Sequence, residues 1–257
     1  MPEKAYDRME KGRKEARIGL NSEKEIINLI NSDPKFRKLL RKCLLALGFK
    51  SKKKITAYKD GLKTDIFVRV DGEIGISIKS STATSFHQLD RRRLEEWVSL
   101  LGVPGDIFKI MKESILRVAG NSRDKFISES DRDKIKDFFG KHLKAVINEI
   151  FWKGEQSLKL LMINDKRTGK IYVFGMDDVI DFLFENASNN VTFTKKGIIR
   201  LGDFITVQRK GGDGKHISLP KTDWKHPGNQ LQFKFSPLKF SEHAEKTNCI
   251  KFCIIEC

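Results

Sequence analysis

No apolar run in this chain approaches the roughly 18 residues needed to span a membrane as a helix, which excludes a helical membrane protein. No lipidation motif or basic amphipathic anchor stands out either, so an anionic membrane surface is the weaker reading of its charge. The opening Met1-Pro2-Glu3-Lys4-Ala5 places charges where a signal peptide needs its apolar core, and the expectation is a cytoplasmic protein. A Gly-x-x-x-x-Gly-Lys-Ser/Thr phosphate loop is absent, which removes the usual route to nucleotide binding. There is no internal repeat, no dimerisation heptad and no linker that splits the chain. Cysteine is scarce, with four among 257 residues. Cys43 is isolated, while Cys249, Cys253 and Cys257 recur every fourth residue. Helical spacing would align those three sulfurs for zinc, but zinc sites usually pair two close ligands with a distant second pair. Only His243 lies nearby, so reduced thiols are the simpler reading. Acidic residues are also in short supply: 34 Asp and Glu against 50 Lys and Arg leave a formal charge of +16. That excess points to a polyanion, nucleic acid first. Charge names a partner, however, and not a reaction.

What remains describes a folded protein. Hydrophobic residues make up 39% and charged residues 33%, enough for a sizeable core. The first sixty residues read as helical. Ser22 and Glu25 form a capping box ahead of Ile26, Ile27 and Ile30. A second helix from about Asp33 carries Phe36, Leu39, Leu40, Leu44, Leu45 and Leu47, with Gly48 as its stop. The cationic run Lys50 to Lys54 precedes a first strand at Ile55 to Tyr58. Further on, the polar loop Ser80 to Ser85 leads into a predicted helix containing Gln88, Asp90, Arg91, Arg92, Arg93, Leu94 and Trp97. Residues 100–153 continue helically behind a second capping box at Ser130 and Asp133, with a core stripe of Ile135, Phe138, Phe139, Leu143, Val146, Ile147 and Ile150. Strands return at Leu158 to Ile163, Ile171 to Phe174, Phe204 to Gln208 and Leu231 to Phe235, with a short helix near Asp177 to Phe184. The expectation is one α/β (α+β) domain, a mixed central sheet flanked by helices. Within it a core occupies about 1–100, a helical segment about 100–153, a strand-rich part about 158–240 and a tail 241–257.

The stretch Asp65 to Lys79 is the most informative. Ile/Phe/Val-rich runs flank a turn centred on Asp71-Gly72, the pattern of a β-hairpin. That turn sets Asp65 opposite roughly residue 78, bringing its carboxylate to the Lys79 ammonium. Ser77 and Lys79, two apart, share a face. The bland reading is a surface ion pair; the sharper one is a metal-dependent nuclease. Phosphodiester hydrolysis needs an activated water and charge stabilisation at phosphorus, and magnesium on hard oxygen ligands supplies both. Asp65 is the obvious carboxylate, the Ile78 carbonyl a second oxygen, and Lys79 a group to orient water or neutralise charge. Glu73 shares the face of Ser77 but lies about 13 Å along the strand from it. A further carboxylate can come from the first helix. Glu25 has its capping box, which leaves Glu23, a residue that equally suits the first turn of a helix for electrostatic reasons alone.

A second constellation runs from Thr206 to Lys215 (Thr-Val-Gln-Arg-Lys-Gly-Gly-Asp-Gly-Lys) and continues at Asn229 to Phe235 (Asn-Gln-Leu-Gln-Phe-Lys-Phe). Arg209 and Lys210 can bond guanine, and Gln208 and Gln232 can reach base edges. The glycines let a backbone approach DNA closely, although a flexible basic hairpin loop looks much the same. Arg91, Arg92 and Arg93, opening a helix, are expected to grip phosphates.

Together these segments resemble a type II restriction endonuclease of the PD-(D/E)XK superfamily, in particular the small enzymes that cleave four-base sites made of G and C. The matching pieces occur in order: Gly19 to Ile26, Lys63 to Ile66, Ile76 to Lys79, Phe86 to Asp90, Thr206 to Asp213 and Leu231 to Lys234. The resemblance implies a magnesium-dependent nuclease acting on double-stranded DNA. Asp65 and Glu23 would be metal-ligating carboxylates and Lys79 the catalytic lysine. Gln208, Arg209, Lys210, Asp213, Gln232 and Lys234 would read bases, with Gln88 touching the DNA from the other groove. It further implies a prokaryotic source, a largely monomeric body or weak dimer, and a companion DNA methyltransferase. Two other readings stay open: a repair or nicking nuclease on the same fold, or a DNA-binding protein without activity. The pattern departs at Ser77, where the superfamily usually carries Asp or Glu and related enzymes carry Gln or Asn.

Overall fold

Asp33 shows how local chemistry sets the first layer. In the computed structural model, which describes residues 19–50, 53–60, 64–152, 154–212 and 218–256, its carboxylate accepts from the Lys35 and Phe36 amides at 2.7 and 3.2 Å. Pro34 fills the first helical position of helix α2 (Pro34–Ala46). Gly48 ends the run with φ of +91°, a conformation that costs glycine little. The helix before it, α1 (19–32), is already helical at residue 19. Ser22 is therefore buried inside a helix and caps nothing, which corrects the first capping box, and Glu25 instead pairs with Lys166.

The described residues form two compact units. The first draws on Met1–Ser85, Gly154–Asp181 and Pro237–Cys257, the second on Phe86–Lys153 and Phe182–Ser236. The α/β expectation holds, with strands in two sheets rather than one.

The first unit holds a six-stranded mixed sheet in the order β1-β2-β3-β5-β6-β11. Its strands are β1 (Thr56–Tyr58), β2 (Ile66–Arg69), β3 (Glu73–Ser81), β5 (Leu158–Asp165), β6 (Lys170–Gly175) and β11 (Phe252–Glu256). Among the described residues only β3 and β5 pair in parallel. One face packs on α1 and α2 through Ile26, Ile30, Leu40 and Leu44 against Ile66, Ile76, Ile78 and Met162, all buried. Each such side chain contributes about 1.5–3 kcal/mol. At the sheet edge, the Asn31 amide donates to the Ala57 carbonyl at 2.8 Å and accepts from the Ala57 amide at 2.9 Å. Helix α7 (Pro237–Thr247) belongs to the same unit, where Phe240 meets Phe174.

The second unit holds a five-stranded antiparallel sheet, β4-β10-β9-β8-β7. These are β4 (His87–Arg92), β7 (Val191–Phe193), β8 (Ile199–Leu201), β9 (Ile205–Arg209) and β10 (Leu231–Phe235). Its helices are α3 (Leu94–Leu101), α4 (Gly105–Gly120) and α5 (Arg132–Trp152), while α6 (Met176–Ser188) carries the chain from one unit to the other. All seven residues of the α5 stripe are buried as expected. A short turn of 3₁₀ helix, Glu129–Asp131, precedes α5, and the serine that meets an acid three residues on is Ser128 with Asp131. Ser128 makes no side-chain cap bond to the backbone, so the second capping box is not formed there.

The largest correction concerns residues 87–92. They form strand β4 rather than a helix, because the free edge of β10 lies alongside and supplies a ladder from Arg92–Leu231 to His87–Phe235. Pairing of this kind overrides the helical preference of an Arg-rich segment. The helix begins only at Leu94. The C-terminal cysteines also change setting. Cys253 sits on strand β11 and Cys249 outside any helix, so the helical alignment of the sulfurs does not form, and the Cys253 sulfur lies 3.8 Å from the Cys43 carbonyl. Burial, and then the neighbouring Cys253, push the Cys43 thiol up to about 12, a neutral reduced thiol. Among the described residues no group of three or more His, Cys, Asp or Glu is arranged to hold a metal, and no helix is long and apolar enough to cross a membrane. Met1 to Ala5, Lys63, Asp213 to Lys215 and Cys257 lie outside the described residues.

Candidate active site and DNA-reading face

The hairpin forms with the Asp71-Gly72 turn as expected, closed by the Val70 amide on the Gly72 carbonyl at 2.8 Å. Pairing runs from Arg69–Glu73 to Ile66–Ile76. One further step sets Asp65 across from Ser77, a residue earlier than the sequence reading. Side chains alternate along β3. Ile76 and Ile78 enter the helix-covered core, so Ser77 and Lys79 project from the other face. Asp65, beside buried Ile66 on β2, does the same. Parallel pairing of Ser77 with Leu161 and Lys79 with Ile163 on β5 stiffens the strand beneath them.

The side chains then converge. Oδ2 of Asp65 accepts from the Ile78 amide at 2.6 Å, the Ser77 hydroxyl at 3.1 Å and the Lys79 ammonium at 3.4 Å. The ammonium also donates to Ser77 Oγ at 2.8 Å and to the Ile78 carbonyl at 3.2 Å. One cation is therefore ringed by a carboxylate, a carbonyl and a hydroxyl, hard oxygens of the kind magnesium takes. Oδ1 of Asp65 makes no hydrogen bond among the described residues and is the oxygen left for a metal. The Asp65 and Lys79 side chains are 23% and 21% exposed, enclosed yet within reach of solvent. Glu23 pairs with Lys59, and no contact joins it to Asp65 among the described residues. Glu73 bonds the Tyr58 hydroxyl, apart from the cluster.

The second sheet has one apolar and one polar face. Leu231, Phe233, Phe235, Ile205, Val207, Ile199 and Leu201 are buried. Between them the opposite face carries two transverse rows. Gln88, Lys234 and Thr206 pair across β4, β10 and β9 in one, and Arg91, Gln232 and Gln208 in the other. Gln232 donates to the Gln88 carbonyl oxygen at 2.9 Å. Burial first, and the Arg91 charge second, push the Lys210 ammonium below its ordinary value, so two cations concentrate at one end of this face.

Sequence reasoning placed Asn229 in the second constellation without assigning it a role. Fully buried, it accepts from Arg209 Nε at 2.8 Å and donates to the Lys221 and Asp223 carbonyls at 2.8 and 2.7 Å. It ties the arginine to the loop before β10. Beside it His226 is buried, its Nδ1 accepting from the Gly228 amide at 3.0 Å. Burial, and then Arg209, Lys221 and Lys210, push its pKa below the ordinary histidine value. The three consecutive arginines separate. Arg91 is exposed. Arg92 pairs with Glu149 at 2.6 Å and Asp90 at 3.2 Å and stacks over Trp97. Arg93 donates to the Trp224 and Lys225 carbonyls.

No protein-family model and no curated protein matches the chain. Among solved structures it is similar to restriction endonuclease MspI, crystallised in complex with its cognate DNA. The two share 14% identity and superpose with a TM-score of 0.59 over 90% of this chain and 97% of that one. The chain has a restriction-endonuclease-like fold.

Proposed function

We propose that this chain is a type II restriction endonuclease that hydrolyses double-stranded DNA at a short, G/C-rich sequence with magnesium. The observation that carries the reading is the convergence of the Asp65 carboxylate, the Ser77 hydroxyl and the Lys79 ammonium on one face of a rigid hairpin. The DNA-bound state of restriction endonuclease MspI supports duplex DNA as the substrate. Asp65 and the Ile78 carbonyl would hold the metal, with Glu23 a further ligand if it leaves Lys59. Bound there, magnesium supplies positive charge at the phosphate and a water acidic enough to attack it. Lys79, already directed at these oxygens, stabilises negative charge as it develops on phosphorus. Ser77 holds the ammonium in place. Gln208, Arg209, Lys210, Gln232 and Lys234, with Asp213, form the base-reading set, where Arg and Lys favour guanine, and Gln88 touches the DNA beside them. A companion methyltransferase and a monomeric or weakly dimeric enzyme belong to the same proposal.

The test is cleavage of a long unmethylated DNA with and without magnesium, comparing the intact protein with Lys79→Ala. Discrete, metal-dependent fragments that vanish in the variant are expected, with a rate loss of about 10²–10³-fold or more. Cuts at random positions would replace the restriction reading with a repair or nicking nuclease. Tight duplex binding without cutting would make the protein a DNA binder.

A further inference from the structure

Nothing in the motifs of this chain singles out Arg200, yet strand register puts it on the polar face of the second sheet. Arg200 pairs across β8 and β9 with Thr206, Thr206 across β9 and β10 with Lys234, and Lys234 across β10 and β4 with Gln88. Directly opposed residues in antiparallel strands share a face. The row Gln88–Lys234–Thr206 therefore extends to Arg200 and, one strand further, to Thr192. The neighbours of Arg200 on its strand, Ile199 and Leu201, are buried on the other side, while Arg200 and Thr192 are exposed. The Arg200 side chain makes no hydrogen bond or ion pair with any described residue, unlike those of Arg92 and Arg93.

We infer that Arg200 is a DNA-backbone contact, binding a phosphate at the wall of the groove whose floor β9 and β10 read. This rests on the proposed function and adds a residue to it. Strand spacing decides between phosphate and base. Neighbouring strands lie about 4.8 Å apart, so β8 is roughly 7 Å from the line midway between β9 and β10. The major groove is about 12 Å wide. With those strands along the groove, its half-width of about 6 Å ends before β8. A side chain from β8 therefore meets the sugar–phosphate wall rather than a base edge. Thr192, on β7, follows the same wall outward.

The experiment is fluorescence anisotropy of the intact protein on short duplexes, with and without the cleavage site, magnesium withheld, across a range of salt. Arg200→Gln is expected to weaken both duplexes alike, roughly five- to tenfold at about 0.1 M salt. It should also flatten the log–log salt slope by about 0.9, the signature of one lost phosphate contact. Arg200→Lys is expected to restore most of that slope. Lys136→Gln removes the same charge from α5, which packs on the apolar face through Phe151 and Phe235, and is expected to leave the slope unchanged. An Arg200→Gln slope equal to that of the intact protein would overturn the inference. So would a loss confined to the duplex bearing the site, which would make Arg200 a base reader. An equal flattening by Lys136→Gln would reduce the effect to net charge and overturn it too. Failure of the intact protein to bind either duplex would instead remove the proposed function, and the inference with it.

Discussion

The hairpin cluster of the first unit and the polar face of the second solve opposite problems. Asp65, Ser77 and Lys79 meet within fifteen residues of chain, on a hairpin with a tight turn, and Asp65 Oδ2, the Ser77 hydroxyl and the Lys79 ammonium are bonded to one another. Their geometry is over-determined, as a group that must hold reacting atoms in place requires. The polar face instead gathers Gln88, Lys234, Thr206 and Arg200 from four strands, with Gln88 and Arg200 exposed at its two sides. In the proposed enzyme, chemistry is concentrated in one place and recognition is spread out. The two can therefore be broken separately.

The sharpest separation is Asp65→Asn against Gln232→Leu. Loss of the carboxylate is expected to lower the cleavage rate by about 10³-fold while duplex affinity stays within a small factor, measured by single-turnover cleavage and by binding. Gln232→Leu is expected to do the reverse, keeping the rate at the best site and weakening discrimination by about 1–3 kcal/mol per affected base pair, read from cleavage of single-mismatch sites. Parallel losses in both assays would sink the division of labour. A smaller effect splits the arginine triplet. Arg91→Ala is expected to flatten the salt slope of binding, whereas Arg92→Ala leaves the slope alone and lowers the denaturation midpoint, because it removes the ion pairs to Glu149 and Asp90. Slopes that respond equally would put Arg92 back on the DNA.

The smallest effect concerns pH. His226 is held below its ordinary value of 6.5 in the folded protein, so the unfolded chain takes up its proton first. Its contribution to stability is complete above pH ~6.5 and declines as pH falls from there toward the lower, folded value. Urea midpoints at pH 7.5 and 5.5 are expected to differ less in His226→Gln than in the intact protein. An identical difference would assign the acid sensitivity elsewhere.

Legibility in the sequence follows the range of the interactions. The Asp71-Gly72 turn, the Asp33 and Gly48 ends of α2 and the stripe of α5 are short-range, and all three were readable. So was the grouping of Asp65, Ser77 and Lys79, to within one residue of register. Residues 87–92 were not, because their strand exists only through β10, some 140 residues away. Strands β7 and β8, three residues each, carry too little pattern to register, which is why Arg200 escaped notice. Asn229 was hidden differently: a buried amide that satisfies two carbonyls and an arginine looks, in sequence, like any loop asparagine.

Asn31 carries a last consequence. Strand β1 has three residues, and by alternation only the middle one, Ala57, turns its amide and carbonyl away from β2. Asn31 occupies both. A side chain thus stands where a seventh strand would dock, and the first sheet ends in a closed border rather than an invitation to another chain.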